Sequence, residues 1–331
     1  MTITVVIATF NRAALLAECL NHLARQPFAD GDEVIVVDND STDGTPRVIE
    51  AARARFTVPL HHLDEPAPGK SRAIARAMTV ASGDVLAFTD DDVNVDAGWL
   101  AAIRAAMRDE DVALTGGPVA PRWETPPPRW LRMAVESYDR LASPLALLHY
   151  GPSAIELGPR AVLGANMAVR RAAFLQVGGF APHLGKLRGT LLSGEDRELC
   201  RLVQAAGMRA VYSPNALVHH FVPADRMRIA YYMSWFFWSG ITLATLDREQ
   251  GVSGRAVLRV PYLIKCASVG ALRAAGAALI GNFAAAVDHA LDDAFAAGYA
   301  RGAWPPSHRR RFGEPRRSSG VLEPSEGGSP R

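Results

Sequence analysis

Along the first hundred residues, two hydrophobic patterns alternate. Short runs rich in β-branched residues, at 4–8, 33–38 and 84–89, read as strands, with residues 61–64 as a shorter one. Between and after them, apolar positions recur at helical spacing over 13–25, 45–55, 70–81 and 98–108. Strand–helix alternation of this kind predicts an α/β fold, with a mainly parallel central sheet flanked by helices. Ser41 and Thr42 stand where N-caps of the second helix are expected, and Ser82-Gly83 where the third would stop in a left-handed turn.

Beyond residue 116 the pattern loosens. Residues 118–128 hold so many prolines that a loop is expected. Trp123 lies inside this loop and Trp130 just after it, placed either to meet a flat ligand or to fold back and pack. A strand is expected at 162–165, a helix at 169–177 ending at Gly178-Gly179, and a strand at 210–212. A strong helix over 194–206, capped by Ser193, carries Leu199, Leu202, Val203 and Ala206 on one stripe.

From about residue 226 the composition shifts to aromatic and then Ala/Leu-rich helices, over 226–246, 255–280 and 282–300, with basic residues interleaved. They read as a helical lid on the core, or as a surface lying in a membrane interface. The tail, 305–331, is rich in Pro, Gly, Ser and Arg and reads as disordered. The organisation predicted is one domain over 1–225, in halves 1–115 and 116–225, then a helical extension over 226–304 and the tail. No internal repeat is visible, and nothing in the pattern speaks to oligomeric state.

Composition narrows the class. The 331 residues are 49% hydrophobic with a formal net charge of +2, which fits a globular core and gives no case for nucleic acid. The three cysteines, Cys19, Cys200 and Cys266, are far apart and suggest buried thiols in a reducing compartment. No basic segment and cleavage site precede the first strand, and residues 262–280, the most apolar stretch, contain Lys265 and Arg273. The expected location is therefore cytoplasmic, either free or peripheral on the cytoplasmic face of a membrane.

The sharpest chemical signal is Asp90-Asp91-Asp92, three carboxylates that end an apolar strand. Like charges so close need something positive among them, and a divalent cation with oxygen ligands is the usual answer. If the strand continues, Asp90 and Asp92 share a face. A solvated acidic turn is the plain alternative. Other motifs also fall at strand ends: Thr9-Phe10-Asn11-Arg12, Asp38 to Thr45, Gly69-Lys70-Ser71-Arg72, Gly164-Ala165-Asn166, Gly194-Glu195-Asp196 and His219-His220. Lys70 and Arg72 would occupy a first helical turn, where amides and dipole already favour anions. Solvated helix starts, turn chemistry and ordinary N-terminal acids are the structural alternatives for these groups.

Taken in order, these motifs resemble the family 2 glycosyltransferases, over roughly residues 1 to 225. That resemblance implies a GT-A-type, Rossmann-like fold and an inverting transfer of one sugar from a nucleoside diphosphate sugar, of UDP or GDP type, to an acceptor hydroxyl on a glycan or lipid-linked glycan. It implies that Thr9, Phe10, Asn11 and Asp38 line the nucleotide pocket, and that Lys70 and Arg72 meet the diphosphate or sugar. Asp90, Asp91, Gly164 and Asn166 then belong to the nucleotide-sugar site. Asp92 and Asp90, with His220 (or His219), hold Mg²⁺ or Mn²⁺. Asp196 is the general base and Glu195 its alternate or an acceptor-binding carboxylate. Phe10 replaces the tyrosine often found at its position. The Gln-x-x-Arg-Trp motif of processive members is missing, which favours single transfers. A dehydrogenase or a nucleotidyltransferase would want a glycine-rich loop after the first strand, and residues 8–13 contain no glycine. A non-catalytic nucleotide-sugar-binding protein remains the third alternative, set against intact candidate carboxylates.

Overall fold

The structure is a computed structural model that describes residues 1–136, 140–181, 184–185, 190–249, 270, 272–276, 279 and 283–303. Its centre is an eight-stranded sheet in the order β3-β2-β1-β4-β9-β6-β10-β8. β1 (Ile3–Thr9), β2 (Glu33–Asp38), β3 (Leu60–Asp64), β4 (Val85–Asp90), β6 (Val112–Gly116) and β10 (Arg209–Tyr212) run parallel. β9 (Asn166–Arg170) is antiparallel between β4 and β6, and β8 (Ile155–Glu156) is antiparallel at the edge. Both faces are covered, so β1, β2 and β4 read as continuous apolar runs, nearly all buried.

The covering helices follow their strands in sequence: α1 (Ala13–Leu23), α2 (Thr45–Ala52), α3 (Lys70–Ala77), α4 (Trp99–Ala106), α6 (Arg171–Gln176) and α7 (Glu195–Ala205). Register brings the carboxyl ends of the parallel strands level. Thr9 pairs with Asp38, Asp38 with Asp64, and Ala8 with Asp90. The start of β9 arrives at the same edge, where Asn166 pairs with Thr89. Ligands bind at this edge in open α/β sheets.

A three-stranded sheet, β5-β11-β7, stands over that edge, built from β5 (Val93–Val95), β7 (Val119–Trp123) and β11 (Val218–Val222). The proline-rich stretch therefore contains a strand where a loop was expected. Pro121 is tolerated because β7 is an edge strand, paired through β11 alone within this sheet. Its tryptophans fold back. Trp123 and Trp130 pack on a second apolar cluster, with Trp130 edge-on to Tyr232 at 5.1 Å.

Further expectations shift. The strand expected at 162–165 lies instead at Asn166–Arg170, and the helix begins at Arg171. The polar Asn166 can open a buried strand because it finds hydrogen-bond partners there. Neither Ser41 and Thr42 nor Ser193 caps a helix; Gly44 and Gly194 occupy the cap positions. α3 ends at Ala77, before Ser82-Gly83. Gly83 serves a close approach, since a Cβ there would sit 2.6 Å from the Thr4 amide nitrogen.

The second cluster joins the middle segment to the carboxyl-terminal helices α8 (Ile229–Glu249) and α9 (Phe283–Ala303) through Leu131 of α5 (Arg129–Glu136), Leu145, Val222, Tyr232, Phe236 and Leu291. α8 and α9 touch backbone to backbone. A methyl at Gly298 would overlap the Phe237 carbonyl, and one at Gly240 the Phe295 carbonyl. Tyr299 donates to Asp247 at 2.7 Å inside this contact. The helix expected over 255–280 falls mostly, and the tail over 305–331 wholly, outside the described residues. Among the described residues, no helix is long and apolar enough to cross a membrane.

Candidate active site

The strand rule that put Asp90 and Asp92 on one face ends with the strand. β4 stops at Asp90, and Asp91-Asp92 form the turn into β5. Each carboxylate then meets a basic side chain. Asp90 pairs with Lys70 at the start of α3. Asp91 accepts from the Thr9 hydroxyl at 2.9 Å and from Arg12 at 2.9 Å, and the same guanidinium reaches Asp92 at 2.8 Å. Arg226, just ahead of α8, lies 3.8 Å from Asp92.

His220 completes this corner. The Phe221 amide donates to the Asp92 carbonyl at 2.9 Å, which ties β11 to the acidic turn. The buried His220 ring then puts Nε2 3.5 Å from Asp92 Oδ1 and 3.3 Å from Arg226. His220 Nδ1 is buried without a hydrogen-bond partner among the described residues. His219, on the opposite face of the strand, looks instead toward Asp96, at 4.0 Å.

Electrostatics follow from this packing. Burial works against the Asp92 anion, but His220, Arg12 and Arg226 hold its carboxyl well below the usual range. Burial pushes Asp91 up; Arg12 opposes this while Asp92 and Asp90 add to it. Lys70 loses solvation, yet Asp90, Glu195 and Asp196 keep it firmly protonated. Arg12 is likewise held charged by Asp91 and Asp92 despite its burial.

Across the cleft, α7 begins at Gly194, whose φ of +121° suits glycine and turns the chain sharply inward. Glu195 and Asp196 open the helix. Asp196 accepts from the Gly164 amide at 3.2 Å and from the Arg197 amide at 2.7 Å. A Cβ at Gly164 would lie 3.8 Å from Asp196 Cβ and 3.9 Å from Lys70 Nζ, so Gly164, Asp196 and Lys70 converge.

The remaining candidates divide. Asn11, at φ +51°, accepts from the Thr42 amide at 2.7 Å and donates its own backbone amide to the Ser41 hydroxyl at 2.9 Å, joining the β1 and β2 loops. Phe10 is half-buried between Thr9 and this junction. Asp38 accepts from the Ser41 amide at 2.9 Å, and its carboxylate, His62 and Asp64 offer atoms within 4.8 Å of one another. Arg72 is exposed. Asn166 is wholly buried, with its carboxamide bound to Trp99, Pro118 and Ala216.

Sequence reasoning gave no role to Arg12, Arg226 or Asn39. The need for positive charge among three aspartates is the signal that could have found Arg12, the last residue of the motif after β1. Asn39 shapes the Lys70 loop, accepting from the Gly69 amide at 2.8 Å and donating to the carbonyls of Glu65 and Ala67. Arg226 carries no local signal.

An acidic turn, basic side chains and a carboxylate across a cleft suit the handling of an anionic donor. A sequence model described as glycosyl transferase family 2 matches residues 4–175. The chain belongs to glycosyl transferase family 2. It is 30% identical over 247 residues to the succinoglycan biosynthesis protein ExoM of Rhizobium meliloti (strain 1021), covering 74% of each chain. It is 25% identical over 251 residues to the glucosyl-dolichyl phosphate glucuronosyltransferase of Haloferax volcanii, covering 75% of this chain and 78% of that one. Among solved structures, the mannosyltransferase PcManGT from Pyrobaculum calidifontis, in complex with GDP-Man and Mn2+, superposes with a TM-score of 0.60 at 20% identity, over 91% of this chain and 87% of that one. GalNAc-T7 with UDP, GalNAc and Mn2+ gives 0.51 at 15%, over 76% and 51%. At those identities the likeness is one of fold, which is GT-A, and this family 2 protein is a glycosyltransferase.

Proposed function

We propose that this glycosyltransferase moves a single sugar from a nucleoside diphosphate sugar, of UDP or GDP type, to an acceptor hydroxyl with inversion at the anomeric carbon. The observation that carries the reading is the convergence of Lys70, Gly164 and Asp196 beside the Asp90–Asp92 turn. The half formed by 1–115 holds the donor, 116–225 the acceptor side, and 226–304 is an extension.

Asp92 and His220 suit a divalent cation, although Asp90 is engaged with Lys70 and, among the described residues, the three possible ligands that lie within 4.8 Å of one another are Asp38, His62 and Asp64. Asp92 and His220 are buried side by side, an imidazole nitrogen there lacks a partner, and mixed oxygen and nitrogen ligands suit Mn²⁺ better than Mg²⁺. Asp92, His220 and Asp90 would hold it. When bound, such an ion neutralises charge on the departing diphosphate. That both solved neighbours named above contain Mn2+ supports this choice.

The chain's own residues supply the rest. Lys70 and Arg12 stay charged and offset the donor's phosphates. The bare backbone at Gly164 leaves room for the sugar ring. Asp196, oriented by the Gly164 amide, accepts the proton of the acceptor hydroxyl as its oxygen bonds to the anomeric carbon and the bond to the diphosphate breaks. Exposed Leu272, Leu279 and Phe283, with Arg273 among them, supply a surface for peripheral membrane contact by the extension, consistent with a lipid-linked glycan acceptor.

The test is release of nucleoside diphosphate from UDP- and GDP-sugars with Mn²⁺. Asp196→Asn is expected to keep donor binding and lose transfer; normal turnover would remove it as base. Asp92→Ala is expected to lose metal-dependent nucleotide binding, and unchanged affinity would refute that ligand.

A further inference from the structure

α8 spans the two ends of this site. It begins three residues after Arg226, which contacts Asp92 and His220. Farther along, the Thr242 methyl lies 3.2 Å from where a Cβ of Gly194 would sit, beside Glu195 and Asp196. The two faces of the helix differ. Tyr232, Phe236, Gly240, Ala244 and Asp247 are buried on one face, and Thr242, on the other, is also buried, against Gly194. Tyr231, Trp235, Trp238 and Thr242, spaced four, three and four apart, fall within about 60° of one another on a second stripe, along about 16 Å of helix. Tyr231 is tied to the Pro144 carbonyl at 3.2 Å, and Trp235 packs at the rim of the second cluster. The Trp238 side chain is partly buried, with its ring edge-on to Phe237 at 6.2 Å, and belongs to no buried cluster. The part of this indole left open, on the same stripe as Thr242, offers a flat apolar surface to a ligand with an apolar face and polar edges. A sugar ring is such a partner, since its C–H face packs on an aromatic ring while its hydroxyls stay hydrogen-bonded.

We propose that the Trp235–Trp238 stretch of α8 is the acceptor subsite, with a saccharide ring of the acceptor stacked on the Trp238 indole and its free hydroxyl presented to Asp196. This rests on the glycosyltransferase reading above and adds the residue that recognises the acceptor.

The test uses the full chain with Mn²⁺ and UDP, titrated with cellopentaose and maltopentaose. Intrinsic fluorescence and saturation-transfer NMR on the sugar C–H protons are the readouts. Wild type is expected to transfer saturation to the ring protons of one of these oligosaccharides. Trp238→Ala is expected to bind it about tenfold more weakly, the scale of one lost aromatic contact. Trp238→Phe is expected to restore most of the affinity. Metal-dependent UDP binding is expected to persist in both variants, which shows that they fold. Equal saccharide binding by Trp238→Ala overturns the proposal, as does saccharide binding by no form. Binding to decaprenyl-phosphate vesicles that depends on Trp238, with no saccharide response, also overturns it and gives the surface to a lipid. Failure of wild type to bind UDP with Mn²⁺ sinks the donor reading instead, and so separates the two.

Discussion

Replacing Asn166 by Ala separates a framework residue from a donor contact. The carboxamide accepts from the Trp99 indole at 2.8 Å and donates to Pro118 at 3.0 Å and Ala216 at 2.7 Å, with no exposed surface. The Pro118 carbonyl keeps a second donor, the Val218 amide at 3.1 Å. The Trp99 N–H and the Ala216 carbonyl are left stranded. Each stranded buried group costs about 1–3 kcal/mol, so the expected loss is about 4 kcal/mol. That is a large share of a typical stability of about 5–15 kcal/mol. In urea titrations with a slope of about 3 kcal/mol/M, the midpoint should fall by about 1.3 M at unchanged slope. Trp99→Phe removes the donor as well, so the double variant should recover about 1 kcal/mol relative to additivity. Below the transition, Mn²⁺-dependent UDP affinity should equal that of wild type. A loss under about 1 kcal/mol together with weakened UDP binding would refute the framework role and return Asn166 to the donor pocket.

Four other outcomes are expected. Arg12→Met leaves Asp91 and Asp92 without their shared cation and should cost about 1–3 kcal/mol, discounted for the partly exposed guanidinium, in the same urea assay. Gly298→Leu forces α9 off α8 and should cost about 3 kcal/mol, with faster proteolysis near Phe237; wild-type resistance would disprove the close crossing. EDTA should abolish diphosphate release, with Mn²⁺ restoring more activity than Mg²⁺; full activity in chelator would reject the metal. Burial pushes the Cys200 thiol up to about 12, so the unfolded chain ionises first. Stability should therefore be intact below pH 8 and fall by about 1 kcal/mol by pH 10, a decline absent in Cys200→Ala.

The readable parts of the sequence were those governed by local chemistry. β1, β2 and β4 are apolar, β-branched and bounded by polar residues, so composition and burial agree. β9 was misplaced because its first residue, Asn166, is polar and becomes tolerable only through partners 48 to 67 residues away. β7 was missed because proline excludes a central strand but not an edge, and edge status is set by β11. The site shows the same division. The acidic turn was visible from charge alone, but the partner expected for it was a divalent cation and not Arg12. Arg226 reaches Asp92 only because β11 pairs with β5, and the stripe on α8 gains meaning only once Thr242 is seen against Gly194.

The balance of charge in the cleft argues for its occupant. Asp90, Asp91, Asp92, Glu195 and Asp196 bring five carboxylates together, and Arg12, Lys70 and Arg226 bring three cations. Asp91 and Asp92 are buried. Burial pushes Asp91 toward its protonated form, while His220, Arg12 and Arg226 hold Asp92 ionised. A divalent cation held by Asp92, Asp90 and His220, as we propose, would add positive charge at this corner, and Arg12, Lys70 and Arg226 would then be left to face the diphosphate of a donor.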